Sequence, residues 1–110
     1  MIVSYKIAKL LASKGFTQPE AAFAQTWYLD YDNGQNTLGK QVLVGTNEFH
    51  ICEGFPKVFA PTVTDILPFV GCFIKYDFVM LKFGIGFDGV INFFDNPADG
   101  LALFWLNAVS

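Results

Sequence analysis

The chain has 110 residues, of which 53 % are hydrophobic and 15 % charged, with a formal net charge of −3. That length makes one domain, and a charged fraction well under the ~25 % of ordinary soluble domains excludes a disordered tail or a polyelectrolyte linker. All seven cations are lysines, so arginine, the side chain that grips phosphate or guanine with paired hydrogen bonds, is missing.

The first third predicts a helical hairpin. Val3, Ile7, Leu10 and Leu11 recur at three- and four-residue spacing, which makes residues 2–14 an amphipathic helix, and Gly15 suits the left-handed position that ends it. Thr17 and Glu20 then stand at capping-box spacing, with Pro19 placed for a first helical turn. A second helix is expected from there, with Phe23, Ala24, Trp27, Tyr28 and Tyr31 along one face, until Asp32-Asn33-Gly34 breaks it.

The middle turns to strands. Residues 41–44 and 48–52 are short β-type runs separated by Gly45-Thr46-Asn47, a hairpin candidate. Ala60-Pro61-Thr62 followed by Asp65 marks the start of a short helix stopped near Pro68. In residues 72–83, Cys72, Ile74, Tyr76, Phe78 and Met80 alternate with Phe73, Val79, Leu81 and Phe83. Alternation alone fits one long strand or a hairpin turning near Tyr76-Asp77. Gly84 to Gly89 is a glycine-rich turn into a run over residues 90–94.

The last element is the plainest. Asn96 stands at an N-cap, Pro97 at the first helical position and Asp99 at the third, so residues 97–109 form a helix. Few of its positions are polar, which predicts burial on most sides. The whole order predicts a single α+β domain over residues 1–110. Its parts are an N-terminal helical hairpin, an antiparallel β-meander of three to five short strands, and a C-terminal helix packed on the sheet.

Chemical motifs are sparse. Gly84-Ile85-Gly86-Phe87-Asp88-Gly89 spells G-x-G-x-x-G, but a dinucleotide fingerprint needs a helix to begin there and a β-type run follows instead. Asp30-Tyr31-Asp32-Asn33-Gly34 has the acids of a calcium loop, but glycine arrives one position early and position 12 is Gln41. His50 and Cys52, two apart on an expected strand, would share a face and could begin a zinc site with Cys72 or a nucleophile pair. A small enzyme with a site near His50 and Cys52 is one alternative reading. We expect no catalytic residue, cofactor or metal, and the chain is read as a non-enzyme.

Residues 9–22, from Lys9-Leu10-Leu11 to Glu20-Ala21-Ala22, resemble the opening of a phage-repressor helix-turn-helix. That likeness implies a DNA-binding regulator, the other alternative. The chain departs from the pattern after Ala24, where an aromatic run ends in Asp30 and Asp32 instead of a polar recognition helix. As a whole the chain also resembles small uncharacterised proteins carried by phage and mobile elements of gut bacteria. The likeness is carried by Gly15-Phe16-Thr17-Gln18-Pro19-Glu20-Ala21-Ala22, Leu38-Gly39-Lys40-Gln41-Val42 and Asn96-Pro97-Ala98-Asp99-Gly100-Leu101-Ala102. It implies no activity, and it favours a host or phage protein as partner.

The longest apolar stretch, residues 66–74, is nine residues long and contains Pro68 and Gly71, against the roughly 20 that a spanning helix needs. Lys6 and Lys9 fall where a signal peptide would be apolar. With two cysteines and no address tag, a cytoplasmic protein is expected, with neither membrane nor nucleic acid as partner. Aromatic residues decide the remaining expectation. Thirteen Phe, four Tyr and two Trp exceed what so short a chain hides, since each large ring has about 150–250 Å² to bury. The expected function is therefore protein–protein interaction as a homo-oligomer, through Phe73, Val79, Leu81 and Phe83 on the sheet and Phe104 and Trp105 on the last helix.

Overall fold

The computed structural model describes residues 1–30, 39–87 and 89–109. The fold is α+β, with three α-helices and two three-stranded antiparallel sheets among those residues. Helix α1 (Tyr5–Ser13) is followed by β1 (Thr26–Asp30), β2 (Lys40–Val44), a 3₁₀ segment (Thr46–Cys52) and β3 (Lys57–Phe59). Then come the single-turn α2 (Val63–Ile66), β4 (Phe73–Asp77), β5 (Lys82–Phe87), β6 (Val90–Phe94) and α3 (Pro97–Val109). The first sheet has the order β2-β1-β3 and the second β4-β5-β6.

Local chemistry sets the helix ends. Helix α1 stops in a Schellman motif: the Gly15 amide donates to Ala12 O at 3.1 Å and the Phe16 amide to Leu11 O at 3.0 Å. Gly15 sits at φ +89°, which glycine adopts without a Cβ clash. Helix α2 opens with a capping box: Thr62 Oγ1 accepts from the Asp65 amide and Asp65 Oδ2 from the Thr62 amide. Helix α3 spans the expected residues, and Asn96 Oδ1 accepts from the Ala98 amide at 2.9 Å.

The second expected helix does not form. Residues 17–25 run as irregular chain with a turn, and Trp27 and Tyr28 lie in the central strand of the first sheet. The helical spacing misleads because β1 is apolar on both faces. Trp27 packs toward the main core with Val3, Leu11, Phe59, Ile66 and Leu101, while Tyr28 packs into a smaller cluster with Val44 and Cys52. A strand buried on both faces is hard to tell from a helix by pattern alone. Past Thr17 the chain makes only a turn, in which the Phe23 amide donates to Glu20 O. Residues 48–52 likewise form no strand: they lie in the 3₁₀ segment, kinked at Glu48, with Cys52 turned inward and Glu48 and His50 outward. The strands accordingly fall into two sheets instead of a single meander.

Helix α3 joins the halves. It packs on β5 and β6 on one side and on α1 and α2 on the other, while α1 covers β3. Its first half (Pro97, Ala98, Gly100, Leu101, Ala102) is buried, and its second half is half-buried to exposed, so burial on most sides holds only for the former. Three hydrogen bonds hold the N-terminal strap beside it: Asn96 Nδ2 donates to Ile2 O, the Ser4 amide to Asp99 Oδ1, and Trp27 Nε1 to Val3 O, at 2.7–2.9 Å. A helical layer with a sheet at each end makes the molecule elongated, 49 × 27 × 27 Å. Its radius of gyration is 15.3 Å, against about 13 Å for a compact chain of this length.

Candidate functional site

The second sheet shows how an uncovered surface arises. Asp77 pairs with Lys82 and Tyr76 with Phe83, so the chain reverses over residues 78–81. Cross-strand partners lie on the same face of a sheet. Phe83 therefore joins Ile74 and Tyr76 instead of opposing them; the stripe expected from one long strand is broken by the reversal. Ile74, Ile85 and Phe94 meet the main core on this inner face, and the Tyr76 and Phe83 rings touch edge-on at 4.9 Å. The outer face carries Lys75, Asp77, Lys82, Gly84, Gly86, Ile91 and Phe93.

The two glycines explain the G-x-G letters. A Cβ on Gly84 would lie 3.0 Å from Ile91 Cγ2 and 3.2 Å from Phe93 Cε1, so these side chains lie over the glycine backbone. Gly84 thus serves sheet packing, and both it and Gly86 lie within a strand with no helix following. Ile91 and Phe93 remain exposed on their far sides, as does Val90 at 61 %.

The β4–β5 tip is the most exposed apolar feature. Phe78 is 81 %, Val79 93 % and Leu81 68 % exposed, with Met80 beside them. Asp77 Oδ1 accepts from the Val79 and Met80 amides, both at 2.9 Å, which fixes the turn. The Met80 and then the Val79 amide hold the Asp77 carboxyl below the usual aspartate range, with Lys75 adding to the effect. Leu81 sits at φ +55°, a conformation that costs a residue with a Cβ about 1–2 kcal/mol. A strained leucine held outward at a fixed turn is the kind of backbone outlier that gathers at binding surfaces.

The expected interface residues divide accordingly. Val79 and Leu81 are at the exposed tip, and Phe73 is placed by its backbone opposite Gly86 in the ladder. Phe83 is half-buried on the inner face. Phe104 and Trp105 pack on the main core, Trp105 edge-on against Phe16 at 5.1 Å. Phe78, Val90, Ile91 and Phe93 are exposed but were not among the expected residues. The uncharged run Val90-Ile91-Asn92-Phe93-Phe94 was the sequence signal available for three of them.

The motifs read for chemistry do not converge. Cys52 is fully buried, its thiol donating to Phe49 O at 3.0 Å, while His50 is exposed on the other side of the 3₁₀ segment. Cys72 packs against the other core, and burial pushes its thiol above the usual cysteine range. No group of three metal-capable side chains occurs among the described residues. The calcium-loop motif lies, after Asp30, outside the described residues; Asp88 of the glycine motif does too. The helix-turn-helix reading loses its second helix to β1. An open groove of about 360 Å³ is lined by Tyr5, Lys9, Ala12, Leu29, Pro56, Lys57 and Val58, without a carboxylate or histidine. No helix among the described residues is long and apolar enough to cross a membrane.

The chain matches no known protein family, no curated protein and no solved structure.

Proposed function

We propose that the chain is a non-enzymatic, cytoplasmic protein–protein interaction protein that works as a homo-oligomer through its second sheet. The observation that carries this is an excess of surface. The chain exposes 6954 Å², whereas a folded monomer of 12.2 kDa exposes about 6,100 Å². The difference, about 900 Å², is close to the ~800 Å² that each partner contributes to a standard interface. Much of the large apolar exposure lies at the β4–β5 tip and on β6, where burial is worth about 25 cal/mol per Å². The resemblance to phage-borne proteins supports a host or phage protein as a second partner, taken up by the tips once copies have joined.

Light scattering on the purified chain tests the reading. A mass above that of one chain at micromolar concentration supports it, and replacing exposed Val90 by Lys should shift the mass downward. A wild-type chain that keeps the mass of one chain throughout overturns it.

A further inference from the structure

An unpaired strand edge offers free amides and carbonyls to any other strand, and soluble proteins usually blunt such edges with charges, proline or short length. Four strands bound the two sheets: β2 and β3 in the first, β4 and β6 in the second. Three of them are blunted. Strand β2 carries Lys40, β3 is three residues long with Lys57, and β4 carries Lys75 and Asp77. Strand β6 carries nothing of the kind. Its five residues, Val90 to Phe94, include no charge and no proline; the first four are exposed, and no strand pairs with its outer side among the described residues.

From this we infer that β6 pairs with β6 of a second copy, antiparallel about a twofold axis at Asn92, to make one continuous six-stranded sheet. The inference rests on the self-association proposed above and specifies its geometry. A twofold axis requires the surface to complement itself. Centring on Asn92 is the register that pairs all five residues: Asn92 with its own counterpart, Ile91 with Phe93 of the other copy, and Val90 with Phe94. Apolar side chains then meet apolar side chains on both faces, and such cross-strand pairs stabilise a sheet. Because β6 is uncharged, no like charges meet within the joined strands. Extra copies cannot extend the sheet through its new outer edges without meeting Lys75 and Asp77 of β4, so the assembly closes at two. The β4–β5 tips, at the far side of each half-sheet, stay outside this contact.

Single cysteines along β6 read the register. Opposed residues in an antiparallel pair have Cα atoms about 4.5–5.5 Å apart, within reach of a disulfide. Two residues from the axis, the same residue in the two copies is separated by about 14 Å along the strands. Under mild oxidation Asn92→Cys should give a reducible dimer, and Val90→Cys should give no more than the wild type. Asn92→Lys, which sets two cations face to face on the axis, should raise the dimer dissociation constant about tenfold or more. A dimer by light scattering that cross-links through Val90→Cys, or not through Asn92→Cys, overturns this register and leaves self-association standing. A wild-type monomer overturns both, and leaves β6 to a strand of a different protein.

Discussion

Asn96 does two jobs with one side chain. Its carbonyl oxygen caps α3, and its amide nitrogen holds Ile2 O at 2.8 Å. Losing an N-cap costs about 1 kcal/mol and losing a buried hydrogen bond about as much again. Asn96→Ala should therefore lower stability by about 2 kcal/mol, whereas Asn96→Ser, which keeps a capping oxygen, should lower it by about half that. Urea midpoints separate the two; equal losses would show that the cap contributes nothing, and an Asn96→Ser midpoint at the wild-type value would show that Asn96 acts as a cap alone. Asp77 sets a pH window at the tip. Its carboxyl is held below its ordinary value by the Met80 and Val79 amides, so the ordering it provides is complete above the unfolded-state value. It is lost as pH falls through the lower folded value. Amide shifts of Val79 and Met80 should follow a titration centred below the ordinary aspartate range, and a midpoint inside that range would contradict the hydrogen bonds.

At the scale of elements, the tightest contact is between α3 and the second sheet. A Cβ on Gly100 would overlap Ile85 Cδ1 and lie 2.6 Å from Phe94 Cδ2. Alanine would gain about 1 kcal/mol of helix propensity there, but overpacking a core costs about 1–3 kcal/mol and the Phe94 ring cannot bend aside. Gly100→Ala should lower the thermal midpoint; an unchanged or raised midpoint would mean that helix and sheet are loosely joined. Helix α3 was legible in the sequence because its cap, its proline and Asp99 act within four residues of one another. The end of α1 at Gly15 and the start of α2 at Thr62 were legible for the same reason. Strand β1 was not, because its two apolar faces meet two separate clusters that only the folded chain defines. The register of β4 and β5 was hidden as well: the four residues between Asp77 and Lys82 decide which side chains share a face, and alternation cannot count them. Val79 and Leu81 were legible as exposed, whereas Phe104 and Trp105 were claimed by the chain's own core.

At the scale of the whole molecule, a central helical layer with a sheet at each end leaves the outer face and tip of the second sheet uncovered. A chain so rich in rings then shows large apolar side chains to solvent, Val79 and Phe78 most of all. Its shape and its surface area agree: it is longer than a compact globule of its length and exposes more than a monomer of its mass. Association through β6 would bury part of that excess and close the most open edge. The decisive measurement is sedimentation equilibrium of the wild-type chain across the micromolar range. A weight-average mass that climbs with concentration and levels off at twice 12.2 kDa is the predicted result, and a mass that stays at 12.2 kDa throughout would contradict it.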